Sequence, residues 1–382
     1  MKYRLLAPGP TPVPERVLSL MSRSMIHHRT PAFESIFADC IQGLKWVLQT
    51  KEDVLLLSCS GTGAFEATFQ NFFSAGDLVL NVTGGKFGER WGKMAERFGL
   101  KVHTIEVPWG KSANPEEVRQ ALEQYPECRA VICVASETST GTRQPYEAIG
   151  RVVQQKADCL LIVDAISALG VWDISPERDH IDVLIASSQK ALMLPPGLAF
   201  LAISPKAWEF NRTAQMPRFY FDLAQEKKAQ ACHQTAFTPA VSLIAGLQES
   251  LKMMKEEGLS AIFERHARVA RATRAAIQAL GLKLFSESPA DSLTAIYTPK
   301  EIRPNGVYTG LQDRAKLTIA GGQGEWKGKI FRIAHLGYFD ELDILTVLSA
   351  LEIVLRQEGY EQFEPGCTLK AVYPILSEGF KI

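Results

Sequence analysis

From about residue 50 to residue 205, short apolar runs rich in β-branched residues alternate with amphipathic stretches. That alternation marks βα units laid on a mainly parallel sheet. Strands are predicted over 54–57, 78–82, 102–107, 130–134, 160–163, 183–186 and 198–203, and several are apolar throughout, as strands covered on both faces are. The intervening spacing predicts helices over 64–73, 88–98 and 115–125, the last opening on Asn114 as N-cap and Pro115 at the first helical position. After about residue 240 the texture changes to long helical periodicity over 241–257 and 260–280. A smaller α+β unit follows, with strands expected over 282–285, 293–297, 316–319 and 330–333 and a helix over 340–357. In that helix Leu342, Leu345, Leu348, Leu351 and Leu355 form a stripe expected to be buried. The chain carries no internal repeat and no low-complexity tract.

The length of 382 residues corresponds to about two domains, and 46% hydrophobic against 22% charged residues is ordinary for a globular protein. Lys+Arg and Asp+Glu both number 42, so no global field draws the chain to nucleic acid or anionic lipid. The seven cysteines (Cys40, Cys59, Cys128, Cys133, Cys159, Cys232 and Cys367) are scattered and never spaced C-x-x-C. This argues against a disulfide framework or a metal cage, so no metal site is expected, and it fits a reducing cytoplasm. The opening residues reach Pro8, Gly9 and Pro10 before any apolar stretch can form, unlike a signal peptide. No run of about 18 apolar residues exists to cross a membrane. The final Gly379-Phe380-Lys381-Ile382 is not a peroxisomal address.

Three constellations could carry chemistry. Ser58-Cys59-Ser60-Gly61-Thr62-Gly63-Ala64 stands between a strand and a helix, where small residues and a helix N-terminus suit a phosphate. It has neither the NTP-loop nor the dinucleotide pattern, and an ordinary capped βα turn would look the same. Asp164 ends the apolar strand 160–163, placing a carboxylate where ligands of open α/β sheets bind; a cap or structural ion pair is its plain alternative. Lys190 follows the strand 183–186, where a desolvated amine can form a Schiff base, although most lysines are simply solvated. Together, an anion cradle, an acid and an amine on successive βα units match what pyridoxal 5′-phosphate needs.

With these residues in place, the chain resembles the fold-type I, class V aminotransferases, closest to the alanine-glyoxylate and serine-glyoxylate (serine-pyruvate) group, which includes relatives labelled as soluble hydrogenase subunits. The resemblance rests on Ala7-Pro8-Gly9-Pro10-Thr11, His27-His28-Arg29-Thr30-Pro31, Ser60-Gly61-Thr62-Gly63-Ala64, Ser136-Glu137-Thr138-Ser139-Thr140-Gly141, Val163-Asp164-Ala165, Ser187-Ser188-Gln189-Lys190-Ala191, Pro195-Pro196-Gly197, Phe237-Thr238-Pro239 and the run from Ile330 to Gly337. It implies a mainly parallel seven-stranded sheet in a large pyridoxal-phosphate domain, residues 16–256, with an N-terminal arm, 1–15, and a smaller C-terminal α+β domain, 257–382.

The resemblance further implies that Lys190 carries the cofactor aldehyde and Asp164 pairs with the pyridine nitrogen. Thr62, Gly63 and Gln189 would hold the phosphate, Phe87 would stack on the ring where relatives often have Trp, and Thr138 would contact the ring or its hydroxyl side. Arg332 would grip the substrate carboxylate with its planar fork, near Gly9 in the entrance loop. Gln234 and Thr238 correspond loosely to residues donated to the phosphate of a neighbouring subunit, so a homodimer is expected, with the arm crossing to the partner. The implied reaction is ping-pong transamination between alanine or serine and glyoxylate or pyruvate, with Lys190 moving the Cα proton. Phosphonate and phosphoserine transaminases share parts of the pattern. A cysteine desulfurase would have His before the lysine and a nucleophilic Cys in the C-terminal half, whereas Gln189 precedes Lys190 and no Cys lies between Cys232 and Cys367. A hydrogenase-associated subunit would show clustered Cys ligands, and a silent scaffold would bind no cofactor.

Overall fold

The computed structural model describes residues 2–380; Met1 and the last two residues of the C-terminal tetrapeptide lie outside the described residues. Its centre is a seven-stranded sheet built from β1 (Asp53–Leu57), β2 (Leu78–Thr83), β3 (Lys101–Glu106), β4 (Ala130–Val134), β5 (Leu160–Asp164), β6 (Val183–Ser187) and β7 (Ala199–Ile203). The spatial order is β1-β7-β6-β5-β4-β2-β3. Only β7 runs against its neighbours, pairing antiparallel with both β1 and β6. All other pairs are parallel, so the carboxyl ends of β1, β2, β4, β5 and β6 lie along one edge.

Both faces of the sheet are covered. Val54, Leu56, Leu161 and Val163 belong to one apolar cluster, while the alternating Leu55, Leu57, Leu160 and Ile162 belong to another on the opposite face. This is why the strands read as continuous apolar runs. Helices α1 (Gly61–Phe72) and α2 (Lys86–Arg97) contribute Phe65, Phe69, Phe72 and Trp91 to the second cluster. Each such large side chain, fully buried, is worth about 1.5–3 kcal/mol. The edge strand β1 is sealed by a side chain: Gln230 accepts from the Leu56 N–H at 3.1 Å and donates to its carbonyl at 2.8 Å, occupying groups another strand would otherwise claim.

Two long helices, α3 (Val241–Glu257) and α4 (Leu259–Ala279), meet at Gly258, whose φ of 87° suits glycine. Beyond them β8 (Leu293–Tyr297), β9 (Ala320–Gly321) and β10 (Ile330–Ala334) form a three-stranded antiparallel sheet in the order β8-β10-β9. Residues 282–285 contribute one bridge, Leu284 to Ile296, in place of the expected strand. Leu317 and Thr318 leave this sheet and pair in parallel with Arg4 and Leu5, so the N-terminal segment is tied to the C-terminal unit of its own chain. Helix α5 (Glu341–Gln357) starts at Asp340 with a capping box closed by Asp343. Its buried face is Ile344, Val347, Leu348, Leu351 and Leu355, whereas Leu342 is 58% exposed and Leu345 half-buried. The expected leucine stripe is thus rotated at its N-terminal end toward Ile344 and Val347.

Two neutral histidines pin the turn that follows β10. His335 donates through Nδ1 to the Asp291 carbonyl at 2.8 Å and accepts the Thr294 hydroxyl at Nε2, 2.9 Å away. His266 accepts the Gly337 N–H at 2.9 Å. Burial pushes the His335 pKa down to about 3 and that of His266 well below its usual value. The unfolded chain, with an imidazole pKa of about 6.5, binds protons that the fold excludes. The stability these residues allow is therefore full above about pH 6.5 and falls as the pH drops toward 3, by up to about 1.4 kcal/mol per pH unit for each ring. Thermal melts between pH 7.5 and 5 should show this slope, and His335→Gln should flatten it; an unchanged slope would place the acid sensitivity elsewhere.

Candidate active site

The carboxyl edge of the sheet gathers the strand-end residues around a cavity of about 310 Å³. Ser60, Gly61 and Thr62 line it from the start of α1, Phe87, Arg90 and Trp91 from α2, Ser136 and Thr138 from the segment after β4, Asp164, Ile166 and Ser167 from the end of β5, and Gln189 and Lys190 from the loop after β6. Gly9 and Pro10 close it from the N-terminal segment. These separate stretches of the chain meet here because five parallel strands end on the same side.

Asp164 is 4% exposed, and both its oxygens are held: Oδ1 accepts the Ile166 N–H at 2.9 Å and Oδ2 the Trp91 indole N–H at 2.8 Å. Burial nevertheless pushes its pKa up to about 7, against the two donors that favour the charged form. Lys190 is 9% exposed, and its amine donates to the Pro8 carbonyl at 2.5 Å. Burial lowers the amine to about 8; the Asp164 charge opposes that shift and the positive field of Arg332 adds to it. The approach of the N-terminal segment explains Gly9, since a Cβ there would lie 2.2 Å from the Lys190 Nζ. Thr11 fastens the same segment, donating its hydroxyl to the Lys190 carbonyl at 2.9 Å.

At the other end of the cavity, α1 begins at Ser60 with no side-chain cap, leaving the amides of Gly61, Thr62 and Gly63 ahead of the first intrahelical acceptor. Beside them the buried Ser187 Oγ and Gln189 Oε1 have no hydrogen-bond partner among the described residues. A Cβ on Gly61 would strike Ile166 at 2.3 Å and sit 3.7 Å from the Ser187 Cβ. Gly63 does not line the cavity; its missing side chain makes room for Cys59 and Phe221. Thr138 donates to Ser167 at 3.0 Å.

Arg332 lies on β10, 4% exposed, just behind the cavity. Its Nε and Nη2 donate to the Gly321 carbonyl at 3.0 and 2.8 Å, and Nη1 to the Thr138 carbonyl at 2.6 Å. Burial lowers its pKa to about 10, opposed by the charge of Glu137. Besides Gly63 and Arg332, two more expected residues do not line this cavity. Gln234 is held by Arg29 at 2.9 Å and Glu34 at 2.6 Å, and Thr238 lines a separate cleft with His27 and His28.

Four residues of the site escape the sequence reading. Trp91 reaches the cavity because it stands four positions after Phe87 on the same face of α2, a periodic signal visible in the sequence. Ser187 stands inside a quoted motif, but its lack of a partner is a property of the fold. Arg90 sits with its guanidinium 5.0 Å from the Phe87 ring centroid. Glu137, 1% exposed, accepts the N–H groups of Phe87, Gly88 and Ser139, each at 3.1 Å, and the Ser139 hydroxyl at 2.5 Å. It thereby caps α2 and fixes the backbone of Phe87.

Comparison with known proteins agrees with this geometry. The family described as aminotransferase class-V matches residues 5–326. The chain is 44% identical to the soluble hydrogenase small subunit of a Synechococcus strain, over 98% of this chain and 99% of that one. It is 35% identical to the L-aspartate–glyoxylate aminotransferase of Paracoccus denitrificans, over 93% of this chain and 91% of the relative. The crystal structure of an alanine–glyoxylate aminotransferase from Nostoc superposes with a TM-score of 0.88 at 31% identity, covering 93% of this chain and 96% of that one.

The Glu137 clamp yields a test independent of any reaction. In Glu137→Gln, either orientation of the amide turns an NH₂ toward two donors, because Oε1 faces Ser139 and Oε2 faces Phe87 and Gly88. The variant should lose about 3 kcal/mol in urea unfolding of the cofactor-stripped protein. A loss under about 0.5 kcal/mol would mean that the clamp is not what holds the start of α2.

Proposed function

The chain belongs to the class-V aminotransferases, which are pyridoxal-phosphate-dependent transaminases, and we propose that it exchanges an amino group between a small amino donor, alanine or serine, and a small oxo acid, glyoxylate or pyruvate. The observation that carries the reading is the burial of Asp164 and Lys190 at one cavity whose other end offers uncapped helix amides. The residues fit the cofactor: the unpartnered Ser187 Oγ and Gln189 Oε1 stand with those amides where a phosphate would sit, and a Cβ at Gly61 would crowd the end of the Ile166 side chain beside them. In this reading Thr62, Gly63 and Gln189 hold the phosphate, with Ser187 added, Phe87 covers the ring, Thr138 meets its hydroxyl side, and Asp164 pairs with the ring nitrogen.

Bound there, pyridoxal phosphate supplies an electron sink for the pair left at the substrate Cα. Lys190 is the base that takes the Cα proton. An amine held near 8 is about one-tenth neutral at pH 7, which suits it to give and accept a proton. The Pro8 carbonyl gives the released amine a fixed acceptor. Arg332, with no carboxylate among the described residues in contact with it, orients the substrate carboxylate, and Gly9 lets the entrance loop close over it. A cavity of about 310 Å³ shared by cofactor and substrate favours a short donor side chain. Glyoxylate as acceptor agrees with the names of the Paracoccus and Nostoc aminotransferases.

We assign Gln234 and Thr238 to the site of a second subunit in a homodimer; their position outside this chain's own cavity supports that assignment. The hydrogenase name of one relative adds no chemistry to these residues, since no group of three or more His, Cys, Asp or Glu side chains among the described residues is placed as metal ligands.

The test is spectroscopic. Alanine or serine alone should bleach the visible band of the bound cofactor, and glyoxylate should restore it. Bleaching by aspartate but by neither small donor would overturn the donor assignment while leaving the family intact. Lys190→Ala should lower turnover at least 10³-fold, on the order of what removing a catalytic base and nucleophile costs, with an unchanged circular dichroism spectrum. Normal turnover in that variant would remove Lys190 from the reaction.

A further inference from the structure

We infer that Trp91 is a positioning residue for this reaction: its indole N–H, 2.8 Å from Asp164 Oδ2, keeps that carboxylate ionised and in one orientation for the cofactor's ring nitrogen. The inference rests on the assignment of Asp164 made above and extends it to a residue that touches no substrate.

Asp164 faces a conflict that its own strand cannot resolve. Its place at the end of β5 buries it, and burial alone favours the neutral acid. A neutral acid could not hold a proton on a ring nitrogen, because it would present its own O–H there. The backbone supplies one donor to the carboxylate, from Ile166 at 2.9 Å. The second donor comes from α2, a different element.

The chemistry of that second donor matters. An indole N–H donates only, has no acceptor and does not titrate. It therefore keeps its donor at every pH at which the protein is folded and favours the carboxylate over the neutral acid, whose O–H it cannot accept. A histidine or glutamine in its place could also accept that O–H.

The indole also cannot swing away. It is 1% exposed and lies parallel to the Phe65 ring, with centroids 3.6 Å apart and planes 9° from one another. Phe65 is on α1, whose first turn stands at the phosphate end of the cavity, so one stacked pair joins the helix at that end to the carboxylate at the other. A Trp serving only as packing would not need its one polar atom directed at the one carboxylate that lines the cavity.

Trp91→Phe keeps the ring on Phe65 and removes the donor. The full-length chain is stripped of cofactor and titrated with pyridoxal phosphate and, separately, with 5-deazapyridoxal phosphate, which has carbon in place of the ring nitrogen. Trp91→Phe should weaken the natural cofactor about tenfold or more, the scale of a lost hydrogen bond to a charged group, while binding the deaza analogue within twofold of the unaltered protein. Equal weakening for both ligands would reduce Trp91 to packing and overturn the inference, as would no weakening for either. If the unaltered protein binds both ligands equally, the pairing of Asp164 with the ring nitrogen is itself wrong, which separates that failure from the failure of Trp91. Should Trp91→Phe fail to fold, benzothienylalanine at position 91, with sulfur in place of the indole N–H, preserves the shape and is judged by the same two titrations.

Discussion

A carboxylate and an amine buried together at the ends of neighbouring strands set the terms for everything around them. Burial drives the Asp164 pKa up to about 7 and the Lys190 pKa down to about 8, so the two values nearly meet. Removing a charge from water costs several kcal/mol, and a buried pair recovers that only when its other hydrogen-bonding capacity is used. The surroundings supply it: Ile166 and Trp91 donate to the acid and the Pro8 carbonyl accepts from the amine. Four separate segments of the chain thus converge to keep two groups poised near neutrality. A fold selected for stability alone would have put apolar side chains at both positions, which is why the pair reads as chemistry.

Much of the fold was legible because each signal was strong locally. All seven strands of the large sheet lie within a residue or two of where the sequence pattern places them. The four strands β4, β5, β6 and β7 are buried throughout and leave almost no polar interruption, whereas the edge strand β3 is mostly exposed or half-buried. The helix 241–257 and the Asn114 cap of the helix starting at Pro115 follow the same logic, the cap accepting from Glu116 at 3.0 Å. The smaller unit was harder. Residues 282–285 look like a strand but form a single bridge, and 317–318 pair with the N-terminal segment more than 300 residues away. Local propensity carries no information about a partner at that separation. Leu342 fails for another reason: it stands in the first turn of α5, where the helix has not yet met the core, and leucine spacing alone does not say where contact begins.

At the site, what could be read were residues whose position in the βα order dictates their place. Asp164 and Lys190 end adjacent strands, so parallel pairing forces them together. Phe87, Thr62 and Gln189, which the family resemblance implied, line the same cavity. Glu137 and Trp91 were not legible as site residues because their importance lies in partners supplied by other elements. A glutamate in a turn looks like a cap until its four donors are counted, and a tryptophan on the apolar face of an amphipathic helix looks like core. Gln234 and Thr238 mark the opposite limit, since the motif match that suggested them says nothing about which cleft they line.

Arg332 shows how the smaller unit is made to serve the larger one. Its guanidinium reaches the carbonyl of Thr138, in the segment after β4, while its other donors rest on Gly321 of its own sheet. Carbonyls orient the planar fork without cancelling its charge, whereas a carboxylate in contact would have done both. Glu137, the nearest acid acting on it, is already occupied by Phe87, Gly88 and Ser139 and lends only its field. The opposite connection runs through Gly337, whose N–H is held by His266 of α4 and whose Cα packs too closely against the Lys190 carbonyl and Thr11 for any side chain to fit without shifting them. The two units are therefore cross-linked on both sides of Lys190, and a shift of either would displace the arginine and the lysine together. Held on backbone carbonyls, the arginine keeps its charge, and that positive field helps to lower the pKa of the buried Lys190 amine.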